Sequence, residues 1–192
     1  MLVSKEKKRT VTISGVDVNG IYPSPHNNQE LTITTTASGV YTTTDTGEHW
    51  TKSSLPSGAY ASFAYDPKNS AIQYAATGVT IRKSSDNGST WMTVYTDARG
   101  QAMTALIVDW YDDARVFAAT STGTILKSLD YGSSWSVQRQ SGDTIRSFLA
   151  SSQDSRVLYA VTAATGLLKT VNSGDEWTQV PGLSNYAGAS KI

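Results

Sequence analysis

The 192-residue chain contains no cysteine, which excludes disulfide bonds, thiolate metal sites and cysteine nucleophiles. It also has no net charge, because sixteen basic and sixteen acidic side chains cancel. Charge therefore gives no reason to expect nucleic acid or an anionic membrane surface as a partner. The sequence has no apolar run near the roughly 20 residues of a membrane helix, and its first residues do not form a signal peptide. We expect neither nucleic-acid binding nor membrane insertion.

The chain does contain an internal repeat. Four octapeptides share the frame Ser/Thr-x-Asp/Asn-x-Gly-x-x-Trp and read TTDTGEHW, SSDNGSTW, SLDYGSSW and TVNSGDEW. Their tryptophans are 41, 44 and 42 residues apart. A period of about 40 to 45 residues is typical of β-propeller blades.

Each repeat unit holds four short runs of β-branched, aromatic and small apolar residues, bounded by Gly, Asp, Asn, Pro or Ser. Helical periodicity is not sustained anywhere. We therefore predict an all-β fold, a propeller whose blades are antiparallel four-stranded sheets, with strands A to D in each blade. The predicted division is a charged tail at 1–10, an extra or closing strand at 11–18, and one array at 19–186 with blades at about 19–58, 59–98, 99–141 and 142–186.

Strand B of three units carries small residues where the inner strands of a blade converge, for example Ala75-Ala76 and Ala118-Ala119. The octapeptide is predicted to be the turn between strands C and D. Its Asp or Asn accepts a hydrogen bond from the backbone two residues on, and its Gly adopts a positive φ. Its Ser or Thr completes the network, and its Trp opens strand D. The sixteen residues are Thr43, Asp45, Gly47, Trp50, Ser84, Asp86, Gly88, Trp91, Ser128, Asp130, Gly132, Trp135, Thr170, Asn172, Gly174 and Trp177.

These octapeptides resemble the Asp-box, or BNR repeat, of sialidases, xyloglucan-cleaving glycosidases, sortilin-type ectodomains and photosystem II assembly factors. The resemblance implies a propeller in which the motif is a folding device on the side remote from the ligand. It also implies an extracytoplasmic or secreted location. The recurrence of the acidic residues already has a local explanation in the turn, so we predict a structural role for them and no metal or cofactor. The two histidines, His26 and His49, fall in different units and predict no shared metal site.

Strand topology places the D–A and B–C connections on the face opposite the octapeptides. We take this as the candidate ligand or partner face, although it carries few polar groups. Its candidate residues are Tyr60, Asp97, Arg99, Arg139, Asp143 and Arg146.

Enzymatic alternatives are poorly supported by the residues. A sialidase needs three converging arginines and a Tyr–Glu pair, and no suitable pair is found. A xyloglucanase needs only two Asp residues across a cleft. Asp109 resembles such a carboxylate, but Asp66 in the equivalent place predicts an A–B turn residue. We predict no catalytic residue, and we expect Trp110 to be a core residue rather than a sugar platform.

The leading hypothesis is a non-enzymatic scaffold or binding module for a protein or a glycan. The alternatives are part of a glycoside hydrolase, xyloglucanase-like or sialidase-like, and a structural repeat of a surface layer, filament or virion. Four blades also leave three arrangements open: a closed ring, an arc from a longer chain, or two chains that form an eight-bladed ring. Of these, the sequence favours a fragment or one part of an assembly.

Overall fold

A computed structural model describes residues 15–183 of the chain. This part forms sixteen strands joined by turns and contains no helix long and apolar enough to cross a bilayer. The strands are β1 (Val18–Pro23), β2 (Leu31–Thr35), β3 (Val40–Thr43), β4 (Thr51–Lys52), β5 (Ser62–Tyr65), β6 (Gln73–Thr77), β7 (Thr80–Ser84), β8 (Met92–Thr96), β9 (Met103–Val108), β10 (Val116–Thr120), β11 (Thr124–Ser128), β12 (Ser136–Gln140), β13 (Ile145–Ala150), β14 (Leu158–Thr162), β15 (Leu167–Thr170) and β16 (Thr178–Gln179).

The strands form four antiparallel sheets, each built from four consecutive strands in the order β1-β2-β3-β4 and its repeats. Each sheet is one blade, numbered 1 to 4 along the chain. This architecture confirms the predicted fold class. The charged tail at 1–10 and residues 11–14 of the extra strand lie outside the described residues, and Val18 belongs to β1.

Blades pack face to face, so each has a trailing face towards the preceding blade and a leading face towards the next one. Small residues allow the sheets to approach, because Ala75, Ala76, Ala118, Ala119 and Ala160 have no exposed surface. Three apolar clusters lie between blades 1 and 2, blades 2 and 3, and blades 3 and 4. Within residues 15–183, none of these clusters joins blade 4 to blade 1.

The turns separate onto two sides of the molecule. In every blade, the octapeptide turn donates a backbone N–H to the A–B turn, as from Asn87 to the Ala71 carbonyl and from Tyr131 to the Ala114 carbonyl. On the other side, B–C turns bond to D–A loops, as from Met103 to the Gly78 carbonyl. The innermost strands β1, β5, β9 and β13 run between these sides and line the concave surface of the array.

Candidate functional site: the concave inner surface

The octapeptide turns form closed local networks. In blade 3, the Ser128 hydroxyl donates to Asp130 Oδ1 at 2.7 Å and accepts the Gly132 N–H at 2.8 Å, while Asp130 Oδ1 also accepts the Ser134 N–H at 2.8 Å. The other blades repeat this pattern, with Asn172 Oδ1 in the place of the carboxylate in blade 4. These contacts differ from the predicted ones in one respect. The acceptor binds the N–H four residues on, because the hydroxyl already occupies the inner N–H groups.

The residue before each octapeptide glycine also has a positive φ, which the sequence pattern did not reveal. Thr46, Asn87, Tyr131 and Ser173 have φ values of 60°, 56°, 55° and 59°. With the glycine that follows, this gives the two left-handed central residues of a type I′ turn. The backbone thus aims the N–H of this residue at the A–B turn of the same blade.

Hydrogen bonds lower the carboxylate pKa values in these turns. The Ser134 hydroxyl and N–H hold the pKa of Asp130 at about 2, and Thr90 similarly lowers the pKa of Asp86. The His49 N–H makes the largest contribution to the low pKa of Asp45, and Asp45 in turn raises the pKa of His49. Such carboxylates stay ionised as acceptors and are unsuited to proton transfer near neutral pH.

The concave inner surface contains a cavity of about 470 Å³ on the D–A side. All four innermost strands or the residues leading into them contribute, and Arg146 is the one charged side chain among the described lining residues. Polar groups from Asn19, Ser62, Thr104 and Ser147 lie beside it. Thr104 Oγ1 is buried and has no hydrogen-bond partner in the described part of the chain. A buried hydroxyl without a partner is a ready contact for a ligand or a water molecule.

A second, more apolar cavity of about 290 Å³ continues the concave surface towards the A–B side. The two cavities share Ile21, Tyr22, Leu106 and Phe148. The lining of the second also includes Pro23, Pro25, Pro67 and Trp110. Trp110 is 58% exposed, so the expectation that it is a core residue is wrong. It follows the end of β9, where the chain leaves the sheet, and its ring remains accessible at the A–B side.

Of the six residues predicted for the ligand face, Arg146 lines the concave cavity. Asp97 and Arg99 share the loop between blades 2 and 3. Asp97 is 7% exposed and holds this loop by accepting the N–H groups of Arg99 at 2.9 Å and Gln101 at 3.0 Å. Arg99 is exposed on the same loop.

The other three residues make structural contacts. Asp143 accepts the Thr165 N–H at 2.7 Å and so ties the loop between blades 3 and 4 to a B–C turn. Burial raises its pKa, but the hydrogen bonds from Thr165 and Ala164 outweigh burial and lower it overall. Arg139 lies on the outermost strand of blade 3 and donates to the Trp177 carbonyl at 2.8 Å. Tyr60 is buried and donates its hydroxyl to the Pro56 carbonyl at 3.1 Å.

The carboxylate considered for glycoside cleavage lies in an A–B turn. Asp109 is 1% exposed, accepts the Tyr111 N–H at 2.8 Å and pairs with Arg115 at 2.7 Å. Asp66 and the Ser151 hydroxyl accept equivalent N–H groups in blades 2 and 4. All three positions therefore pin the same turn in successive blades.

Among the described residues, no group of three His, Cys, Asp or Glu side chains is arranged to hold a metal ion. His26 Nε2 contacts the Asp66 carbonyl oxygen at 2.7 Å, and His49 Nδ1 contacts Asp45 at 2.6 Å. The two rings thus serve different turns in blades 1 and 2.

Sequence reasoning did not single out Asn19, Ser62, Thr104 and Ser147. These residues lie in the first part of an innermost strand or directly before it. Ser62 and Ser147 occupy the same register, but that register holds Ala105 in blade 3 and Gly20 in blade 1. No pattern shared by all four repeats therefore marks these residues.

No protein-family model matches the chain, and no curated protein matches it. Solved structures do. An ancestral GH74 enzyme superposes with a TM-score of 0.78 at 18% identity, over 88% of this chain and 24% of that enzyme. The GH74 xyloglucanase from Xanthomonas campestris gives a TM-score of 0.73 at 18% identity, over 92% of this chain and 32% of the enzyme. YCF48 bound to D1 peptide gives a TM-score of 0.56 at 9% identity, over 90% of this chain and 84% of YCF48.

The chain therefore spans about a quarter to a third of the length of these GH74 enzymes. At such low identity the likeness extends to the fold and not to a shared activity. These similar structures include two enzymes and a protein bound to a peptide. The β-propeller fold is therefore compatible with either kind of function.

Proposed function

We propose that this chain is a non-enzymatic β-propeller of the Asp-box type that binds an extended segment of another protein along its concave inner surface. The observation that carries the proposal is the composition of that surface. It combines the Arg146 guanidinium, a buried Thr104 hydroxyl without a partner, and an apolar extension that ends at Trp110.

These groups match the needs of a peptide. A guanidinium recognises a carboxylate through charge-assisted hydrogen bonds, which favours a peptide with an acidic side chain or a free C-terminus. Hydroxyl and amide groups contact peptide N–H and C=O groups, while Trp110 and the prolines accept apolar side chains. The likeness to YCF48 bound to D1 peptide adds support at the level of the fold.

The main rival is part of a glycoside hydrolase. That chemistry requires two carboxylates within about 10 Å across a cleft. Among residues 15–183, the side chains that line the two cavities of the concave surface include no carboxylate. An exposed Trp110 is compatible with sugar stacking, so glycan binding without cleavage is the second candidate. Binding of another copy of the chain, or of the remainder of a longer protein, is a further outcome that the same titration distinguishes.

The test is a selection of random 12-residue peptides displayed with free C-termini, followed by calorimetric titration of the selected peptides. We expect Arg146→Gln to weaken binding at least tenfold and Thr104→Val to weaken it less. Arg156→Gln is the matched control, because Arg156 is exposed on an A–B turn and pairs with Asp154. Recovery of no specific peptide would count against the proposal. If the chain hydrolyses xyloglucan oligosaccharides and Asp109→Asn abolishes this activity, the glycoside hydrolase would be favoured instead.

A further inference from the structure

The leading face of blade 4 is an apolar surface that no described blade covers. Leu149, Tyr159 and Lys169 lie opposite one another across β13, β14 and β15. Leu149 is 47% exposed. Lys169 Nζ lies 5.8 Å from the centroid of the Tyr159 ring.

The seam between blades 2 and 3 shows what such a face binds. Tyr74 and Lys83 occupy the registers of Tyr159 and Lys169. The Tyr74 hydroxyl and Lys83 Nζ both donate to the Tyr131 carbonyl in the octapeptide turn of blade 3, at 2.9 and 2.7 Å. The Tyr74 ring also covers Gly132 of that turn.

The seam between blades 3 and 4 repeats this arrangement with an ion pair. Phe117 and Lys127 occupy the same two registers. The Phe117 ring lies so close to Gly174 that a side chain there would overlap it. Lys127 Nζ lies 2.6 Å from Asp175 Oδ1, directly after this glycine. Two of the three inner seams therefore place an aromatic ring over the octapeptide glycine and a lysine that crosses to the same turn. In the seam between blades 1 and 2, Thr32 and Thr42 occupy these registers.

The trailing face of blade 1 supplies the complement. Glu48 directly follows Gly47 and so occupies the octapeptide position of Asp175. Beyond its chain neighbours, the nearest groups around Gly47 belong to Trp50 of its own turn, and no aromatic ring from another blade covers it in the described structure. On the innermost strand of blade 1, Ile21 occupies the position that Phe63, Leu106 and Phe148 occupy in the other blades. Ile21 is 65% exposed, whereas Phe63 and Leu106 are 3% and 7% exposed inside their seams.

We propose that the leading face of blade 4 binds the trailing face of blade 1 in a second copy of this chain. Tyr159 then covers Gly47 of the other copy, and Lys169 pairs with its Glu48. Blade 4 of the second copy binds blade 1 of the first copy in the same way. These two contacts close the two chains into one ring of eight blades. Eight lies within the range of about four to eight blades for propellers, and a head-to-tail contact closes when its rotation completes a circle. This inference is independent of the ligand of the concave surface.

The test is the solution mass of the chain, measured by light scattering across a concentration series. We expect a species of twice the 20.6 kDa chain mass. Lys169→Glu and Glu48→Lys should each weaken the dimer at least tenfold, because each places like charges at both contacts. An equimolar mixture of the two variants should restore the dimer, since the two substituted side chains then meet at one contact and the two natural side chains meet at the other.

Arg99→Glu is the control. It makes the same change of charge on an exposed loop between blades 2 and 3 and should leave the dimer intact. A species of 20.6 kDa at every concentration would overturn the proposal and leave these faces to other parts of a longer protein. A dimer insensitive to both charge reversals would exclude these faces as its interface, and a ladder of larger masses would exclude the two-chain ring. Loss of peptide binding in Arg146→Gln with an unchanged mass would concern the concave surface alone.

Discussion

At the residue scale, the position before each octapeptide glycine is filled by four different amino acids in one strained conformation. Asn87 suits a φ near 56°, whereas Thr46 at 60° is β-branched and fits it poorly. A left-handed conformation costs an ordinary residue about 1 to 2 kcal/mol. The sequence could not reveal this strain, because Thr46, Asn87, Tyr131 and Ser173 share no side-chain chemistry.

Replacing Thr46 by Asn should therefore raise the free energy of unfolding by about 1 kcal/mol, because Asn tolerates this conformation better. The neighbouring exposed residue provides the control, and Thr44→Asn should change stability by less than about 0.5 kcal/mol. Denaturant unfolding measures both variants. A Thr46→Asn protein no more stable than the parent would show that the Thr46 hydroxyl, which donates to the Asp45 carbonyl at 2.6 Å, offsets the strain.

Acid should weaken the octapeptide turns in a defined pH window. The folded pKa of Asp130 is about 2, below its ordinary value of 3.8. Its contribution to stability is therefore complete above pH 3.8 and is lost as the pH falls towards 2. Asp130→Asn, which copies the natural Asn172, should make unfolding less dependent on pH in this window. Ser134→Ala removes the strongest hydrogen bond and should raise the Asp130 pKa, as NMR titration would measure. Unchanged acid dependence in both variants would contradict this account.

At the element scale, two of the three seams between blades bring an aromatic ring close to an octapeptide glycine. Gly174→Ala must displace the Phe117 ring, whereas Gly88→Ala meets only the flexible end of Gln73 at 3.0 Å. Both glycines have a positive φ, 84° and 80°, so the backbone strain of an alanine is similar in the two variants. Overpacking typically costs about 1 to 3 kcal/mol. Gly174→Ala should therefore be less stable than Gly88→Ala by about that amount in thermal or denaturant unfolding. Equal losses of stability in the two variants would show that the Phe117 ring moves aside at no cost.

The strands themselves were largely predictable, because each repeat carries four short runs and a turn signal. The concave site was predicted only in part. Arg146 was identified because it follows a D–A loop, but Thr104 and Ser147 lack any local signal and acquire their setting from the convergence of four blades. Arg139 and Asp143 were reasonable candidates by loop position. Their partners, the Trp177 carbonyl and the Thr165 N–H, lie 38 and 22 residues away in the sequence and could not be inferred from local pattern.

At the scale of the whole molecule, each blade contacts its neighbours in sequence through one apolar seam. Stability in such an array is roughly a sum of blade terms and seam terms. Phe117→Ala should cost about 3 to 5 kcal/mol at the seam between blades 3 and 4. Hydrogen exchange should then show protection lost first from β13, β14 and β15, while β2 and β6 keep theirs. Equal loss in all four blades would mean that the array unfolds as one cooperative unit.

Every described sheet is built from one uninterrupted stretch of chain, in the order in which its strands are synthesised. A blade can therefore be completed on the ribosome before the next one has emerged, without waiting for a strand from the far end. Duplication of one repeat in the gene would lengthen the row by one sheet and would not require the chain to be rethreaded. Blade number is therefore a property that evolution can change in single steps.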